Sequence, residues 1–388
     1  MFKKLLTVTL AAFSFIGLTA CGSEKKLTAE EAKAEIKAAQ ENTAKAIKEG
    51  KGFKIDETNK VEATVSAKNI KVDSNLGSII PEVKSAKLQA NLTAKAGLSF
   101  DYINLKAKAT ASEDANVKFN YTAGDSSEKF EVTSKGNGEA YLIKGDSKVN
   151  LYASADMDNT FNLPESYKSL IDTDKYGKIN KKINIKYDIN PDDTDNDINE
   201  AIANIQNGTY IEELATFDFN TIITDWTIFS KKGNTISADC SNLSAFGIDA
   251  EVQQKLTEIG LTLKISKFEI GLNKNKEITS FDFNTQVKGS IDLSKQNIDT
   301  EDIVDLISKF KPEMEQLISQ ITVNGVTGIV DVDTTLSSNF KVAYTTETIT
   351  VPDELVNYEE TDLMDLIMAI LFGNMTTPAS QTPAATGE

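Results

Sequence analysis

Residues 53–155 alternate between apolar and polar positions in run after run. In "KLQANLTAKAGLSFDYINLKAKATA", residues 87–111, Leu88, Ala90, Leu92, Ala94, Ala96, Leu98, Phe100 and Tyr102 fall on one side. Lys87, Gln89, Asn91, Thr93, Lys95, Ser99 and Asp101 fall on the other. Period-two alternation predicts a strand with one buried face. Val61, Ala63, Val65 and Ala67 precede it, and Leu105, Ala107, Ala109 and Ala111 follow with the phase shifted by one. Val117, Phe119 and Tyr121 form a further set, as do Val149, Leu151, Ala153 and Ala155. Gly124-Asp125, Gly136-Asn137-Gly138 and Gly145-Asp146 supply expected turns. An apolar and a polar face on each strand predict an antiparallel meander with one wet side. Alanine is depleted in strands and buries little, so its abundance here implies either close approach of another layer or space left open.

A helix is predicted from Thr28 to Gly50, where Thr28 and Glu31 form a capping box and Ala32, Ile36, Ala39, Thr43 and Ile47 recur at helical spacing. After a polar interlude at 164–200, a second helix is expected from Asp197, with Ile198, Ile202 and Ile205 inward. Strands resume at 216. Thr216–Thr221 (TFDFNT) is echoed by Ser280–Thr285 (SFDFNT), either a duplicated hairpin or a coincidence of a common pattern. Trp226, the single tryptophan, is expected on an apolar strand face. A hairpin follows, with Leu261, Leu263 and Ile265, then Phe268, Ile270 and Leu272, turning through 273–276. Ile303, Leu306, Ile307, Phe310, Met314, Leu317, Ile318 and Ile321 make the strongest amphipathic pattern, a helix over 300–321 that is either kinked at Pro312 or split there into two helices. Final strands are expected over about 326–351, then a helix near 361–372.

The N-terminus adds an address. Lys3 and Lys4 precede the uncharged run Leu5–Gly17, whose length suits a signal peptide and not a membrane span. Leu18-Thr19-Ala20-Cys21 resembles a bacterial lipobox. The resemblance implies lipidation of Cys21, palmitate among the acyl chains, and cleavage between Ala20 and Cys21. Gly22 is not the Asp that resembles an inner-membrane retention signal. The expected layout is a signal peptide over 1–20, a lipidated linker over 21–27, a body over 28–372 and a disordered tail over 373–388. The body is read either as one unit or as two lobes of about 28–190 and 191–372. The expected location is the extracytoplasmic side of a cell membrane, with the outer membrane open to it in a two-membrane bacterium.

Composition narrows the chemistry. The net charge is −17, and −19 once Lys3 and Lys4 leave with the signal, which argues against nucleic acid as a partner. Histidine is absent and every basic residue is lysine, so imidazole bases, His-bound zinc and arginine clamps are excluded. Only Cys21 and Cys240 are present, so no disulfide framework is expected. The expectation is no enzyme, no catalytic residue and no cofactor.

Two acidic stretches invite a metal reading. Asp172, Asp174, Gly177 and Ile179 resemble the start of an EF-hand loop, but Tyr176 and Ile183 stand where the fifth and twelfth positions need oxygen ligands. Asp193, Asp195 and Asp197 lack the loop's glycine and glutamate. Both are taken as solvated loops, and no metal is expected.

The predicted fold class is α+β: a large, strongly curved, mainly antiparallel sheet, half-barrel-like, with helices packed on its concave face. This layout resembles the LolA/LppX-type lipoprotein carriers, which implies a lipid or other apolar ligand held between sheet and helices. The competing expectation is a non-enzymatic surface or structural lipoprotein with a solid core.

Overall fold

The fold is that of a computed structural model, which describes residues 25–50, 52–74, 82–145, 148–170, 176–188, 204, 219–221, 223–296, 323–345 and 348–358. In chain order the elements are β1 (Lys25–Lys26), α1 (Ala29–Gly50), β2 (Gly52–Ser74), β3 (Val83–Asp101), β4 (Lys106–Ala123), β5 (Ser126–Lys144), β6 (Lys148–Asn162) and β7 (Lys178–Asp188). They continue with β8 (Phe229–Lys232), β9 (Thr235–Ala238), α2 (Ala250–Glu258), β10 (Leu261–Leu272), β11 (Ile278–Asp292), β12 (Val323–Ala343) and α3 (Asp353–Val356).

All twelve strands belong to one antiparallel sheet, in the order β1-β8-β9-β10-β11-β12-β2-β3-β4-β5-β6-β7. Strands from both sides of residue 190 share it. β2–β7 form a meander, β8–β12 form a second run, and the long β12–β2 ladder, from Val323 opposite Ser74 to Ala343 opposite Lys54, joins them. Leu88, Ala90 and Leu92 lie opposite Val65, Ala63 and Val61 on one side and Phe119, Val117 and Ala115 on the other. Directly opposed residues share a face, so these positions define the front of the sheet.

α1 begins as its sequence predicts: Glu31 N donates to Thr28 Oγ1 at 3.2 Å, and Thr28 N donates to Glu31 Oε2 at 3.0 Å. Its path follows from the strand order. β1 is an edge strand and β2 is central, six inter-strand steps away, a distance of about 29 Å. Twenty-two helical residues rise about 33 Å, enough to make that crossing over the front face. Ala32, Ile36 and Ala39 are buried with Phe229, Phe268, Ile270 and Ile278, and Ala44 and Ile47 with Phe53, Ile55 and Tyr102. The alanines let helix and sheet approach closely. Tyr344, Thr43 and Ile278 lock the junction: Ile278 N donates to Thr43 Oγ1 at 2.9 Å, and the Tyr344 hydroxyl donates to the Ile278 carbonyl.

The back face carries a smaller cluster. Tyr141 and Tyr152 pack with Ile349 and Leu355, which brings residues 348–358 and α3 against β5–β7. Asn184 Nδ2 donates to Tyr358 O at 2.9 Å, and Lys182 Nζ lies 2.8 Å from Glu354 Oε2.

Several expectations are corrected. The described residues do not form a half-barrel with helices on a concave face. The sheet is open, with β1 and β7 as its edges, and its helices are few and small. α1 covers one part of the front, α2 has no buried residue, and α3 is a single turn on the back. Strands of 15–23 residues in β2–β6 extend far beyond the surface those helices can shield.

Gly136-Asn137-Gly138 is not a turn; it lies inside β5, in regular register with β4 and β6. A Cβ on Gly138 would meet Ser154 O at 3.1 Å, so glycine serves a tight inter-strand contact there. Phe219–Thr221 is a 3-10 turn whereas Phe281–Thr285 lies in β11, so the TFDFNT echo does not mark equivalent hairpins. Trp226 is buried as expected, but in a 3-10 turn and not on a strand; its Nε1 donates to Asn220 Oδ1 at 3.0 Å.

The phase slip between Ile265 and Phe268 is a β-bulge at Ser266, because Ile265 pairs with Thr285 and Lys267 with Asn284. Cys21 and the signal, the acidic run 192–197, the helices expected at 197–205, 300–321 and 361–372, and the tail lie outside the described residues.

Candidate functional site

Two parts of the front face carry the same alternating pattern in different surroundings. Beneath α1 the inward side chains are buried: Phe229, Ile236 and Ile278 are fully enclosed. Farther along β12 and β2–β5 the inward side chains face outward to solvent. Leu88, Leu92, Val117, Phe119 and Leu336 are each 36–39% exposed. They lie in consecutive cross-strand rows, Leu336-Val61-Leu92-Ala115 and Val332-Val65-Leu88-Phe119-Phe130 among them.

Five strands by four such rows span roughly 20 Å by 20 Å from strand and residue spacings. That area approaches the largest apolar patches usual on a monomer. At ~25 cal/mol per Å², each of the five side chains forgoes on the order of 1–2 kcal/mol by staying wet.

One corner of this field is aromatic. Phe119, Tyr121 and Phe130 have centroids 5.7–6.3 Å apart, and the Tyr167 ring meets Phe130 edge-on at 5.0 Å. The Tyr121 hydroxyl donates to Glu128 Oε2 at 3.0 Å. Burial, followed by Tyr167 and Glu128, pushes its phenol well above the ordinary tyrosine range. It is therefore a neutral, amphipathic rim to the field and not a base.

Between the field and the part under α1 lies a hollow of about 360 Å³. Ala94, Ala96, Ala111, Gly136, Gly138 and Ala155 floor it, with Asn59, Glu113 and Met157 at its margins. The alanines of the 87–111 stretch thus do not all meet a helix: Ala94, Ala96 and Ala111 leave space on an open face. Under α1, by contrast, buried side chains of helix and sheet pack against one another.

The back face at the same level is polar. A larger hollow, about 690 Å³, is bordered by Asp56, Lys95, Glu139, Asp156, Lys182 and Glu354, carboxylates and amines intermixed. Nearby carboxylates act as cross-strand ties. Asp331 takes Lys68 at 2.8 Å and the Ser290 hydroxyl, and Asp333 takes Lys288 at 2.6 Å and Gln286 at 2.8 Å. These partners hold both carboxyls below their usual range, so they stay ionised and are poor proton donors at neutral pH.

Among the described residues no group of three or more metal-ligating side chains assembles. Of the EF-hand-like stretch, Tyr176 is exposed and residues 178–183 form edge strand β7. Cys240 is half-buried beside the cluster under α1; its thiol donates to Ala238 O at 3.4 Å, and burial raises its pKa. That combination makes it a packing residue. Among the described residues no helix is long and apolar enough to cross a membrane.

Sequence reasoning found the front-face residues of β2–β4 but not Phe130, Tyr167, Gly136 and Gly138 as members of the same surface. Register brings Phe130, Gly136 and Gly138 onto this face, and the 3-10 turn Glu165–Leu170 brings Tyr167 against Phe130. For the three β5 residues the only advance signal was the alternation, which the two glycines interrupt.

No protein-family model matches the chain, and no curated protein is similar to it. Among solved structures, the transport unit of the autotransporter AIDA-I from Escherichia coli aligns over 79% of this chain and 99% of that chain, at 6% identity and a TM-score of 0.09. A score that low carries no argument about fold or function.

Proposed function

We propose that this chain is a lipoprotein tethered through Cys21 to the extracytoplasmic side of a membrane, and that it takes a lipid or other apolar ligand on the front face of its sheet. The observation that carries the ligand reading is the hollow of about 360 Å³ together with the apolar field beside it, which no described element covers. The volume falls within the ~300–1,000 Å³ of small-molecule sites. The floor of small side chains admits an unbranched apolar chain while Asn59 and Glu113 offer polar ends. The anchoring reading is supported by Lys3–Lys4, Leu5–Gly17 and Leu18–Cys21. Two or more acyl chains give the stable attachment that a single chain does not.

Residues 22–388, expressed without the anchor, test the ligand. Organic extraction and mass spectrometry are expected to release a stoichiometric lipid, and the stripped protein to bind an apolar fluorescent probe. A lipid-free preparation that also ignores the probe sinks the reading. For the anchor, Cys21→Ala is expected to move the full-length protein from the membrane fraction to the soluble fraction and to abolish labelling by radioactive palmitate.

The second reading, a structural lipoprotein with a solid core, is favoured by one observation. The interface under α1 is a packed cluster of buried side chains, with Ala32, Ile36, Phe229 and Ile278 at its centre.

A further inference from the structure

We propose that the polar hollow on the back of the sheet is a binding site, and that its ligand is a neutral saccharide held by hydrogen bonds. This inference concerns the face opposite the apolar field and does not depend on the apolar-ligand reading.

Register builds the site. One cross-strand row runs Thr58-Lys95-Ser112-Asn137-Asp156-Asn180 from β2 to β7. The next row along the strands brings Asp56, Gly97, Thr110, Glu139, Ser154 and Lys182 beside it. Directly opposed residues share a face, so both rows belong to the back, and neither contains an apolar side chain larger than a glycine hydrogen. Six neighbouring strands span about 24 Å, long enough for a chain of several sugar rings. The hollow over them holds about 690 Å³, inside the ~300–1,000 Å³ of small-molecule sites. Gly97 keeps it open: a Cβ there would meet Thr110 Oγ1 at 2.5 Å and Asp56 Oδ1 at 3.6 Å.

The second observation is a strip of unused hydrogen-bonding groups. The side chains of Asp56, Lys95, Asn137, Asp156 and Asn180 are exposed and form no hydrogen bond or ion pair with another described residue. The rows on either side differ. On one, Tyr141 and Tyr152 are buried against Ile349 and Leu355. On the other, Lys135 lies 3.8 Å from Asp114, and Lys178 lies 3.9 Å from Asp158. The back face thus ties up its polar groups around the hollow and leaves them untied along it.

Chemistry selects the ligand class. Asp56, Glu139, Asp156 and Glu354 outnumber Lys95 and Lys182 around the hollow, which works against an anion. The two lysines work against a cation, and among the described residues no group of three metal-ligating side chains assembles. Carboxylates only accept, ammonium groups only donate, and carboxamides and hydroxyls do both. A ligand that satisfies all of them must donate and accept along its length without carrying charge. Sugar hydroxyls have that property on every ring. Because Tyr141 and Tyr152 are enclosed, hydrogen bonds and not ring stacking carry the recognition.

Calorimetric titration tests this. Residues 22–388, which contain every described residue, are titrated with cellotriose, maltotriose and chitotriose, and with trigalacturonate and spermidine as charged controls. At least one neutral trisaccharide is expected to bind, more tightly than either control. Asn137→Ala with Asp156→Ala is expected to weaken that binding about tenfold or more, since two side-chain hydrogen bonds are lost, while far-ultraviolet dichroism keeps its strand signal. No binding of any neutral trisaccharide, tighter binding of a charged control, or unchanged affinity in the double variant overturns the proposal. If that variant fails to fold, Asp156→Asn preserves the shape of the site and is expected to weaken binding severalfold; unchanged affinity then overturns it. An apolar probe that binds while every trisaccharide fails would uphold the front-face reading and reject this one, so the two failures are distinguishable.

Discussion

Phe268 and Leu92 are both inward-facing strand residues on the same face of the same sheet, yet one is 5% exposed and the other 37%. Phe268 sits in β10 among Phe229, Phe246 and Phe281, all within 6 Å of its ring centroid, under the span of α1. Leu92 sits in β3 between Val61 and Ala115, outside the buried clusters of the described residues. Alternation assigns a residue to a face. It takes a second layer to turn that face into a core. The comparison teaches that a large single sheet is stabilised unevenly: α1 closes one region, while the other retains an apolar surface suited to something else.

The largest expected effect breaks the covered side. Phe268→Ala is expected to cost about 3–5 kcal/mol in denaturant unfolding, because it leaves a cavity against three other rings. Leu92→Ala sharpens the contrast. With its side chain already 37% exposed, it is expected to cost only about 1–2 kcal/mol in the same measurement, and a cost as large as that of Phe268→Ala would mean that Leu92 is equally enclosed.

The boundary between the regions is tested by Gly138→Leu. The added side chain fills the hollow and crowds Ser154 O, so apolar-probe binding is expected to disappear at a stability cost of about 1–3 kcal/mol. Retained binding would place the ligand elsewhere. Smaller still is Thr28→Ala, expected to cost about 1 kcal/mol by removing the capping box that starts α1.

The smallest effect is electrostatic. Burial raises the Glu35 carboxyl on α1, but Lys231 at 2.7 Å and Lys276 at 3.6 Å outweigh it and hold the group below the usual glutamate range. A depressed folded-state pKa stabilises above the unfolded value and loses that contribution as pH falls through the folded value. Stability measured below pH about 4.5 should therefore decline less steeply in Glu35→Gln than in the unaltered chain. Identical acid profiles would show that the two lysines do not tie α1 to β8 and the β10–β11 turn.

Much of the local structure was legible. The Thr28–Glu31 cap, the buried positions Ala32, Ile36, Ala39, Thr43 and Ile47, and the inward residues of β2–β4 all stand where their periodicity places them. The one-residue slip at Ser266, by contrast, became visible as a bulge only in the β10–β11 register. What misled was chemistry with two structural uses. Glycine marks turns at Gly124 but close inter-strand contact at Gly138, and the single-residue signal is the same. Trp226 and Phe219 have strand-like neighbours, yet short 3-10 turns bury them equally well under α1.

The alanines of "KLQANLTAKAGLSFDYINLKAKATA" show the division most clearly. The sequence by itself determined that they share one face with Leu88, Leu92 and Phe100, because side chains alternate with a period of two whatever lies above them. Only the tertiary structure decided what lies above: α1 at the Phe53–Phe100 end, and open space over Ala94, Ala96 and Ala111. The physical reason is range. Alternation is a property of each strand, whereas which rows a helix covers depends on where a 22-residue crossing between β1 and β2 happens to lie across twelve strands.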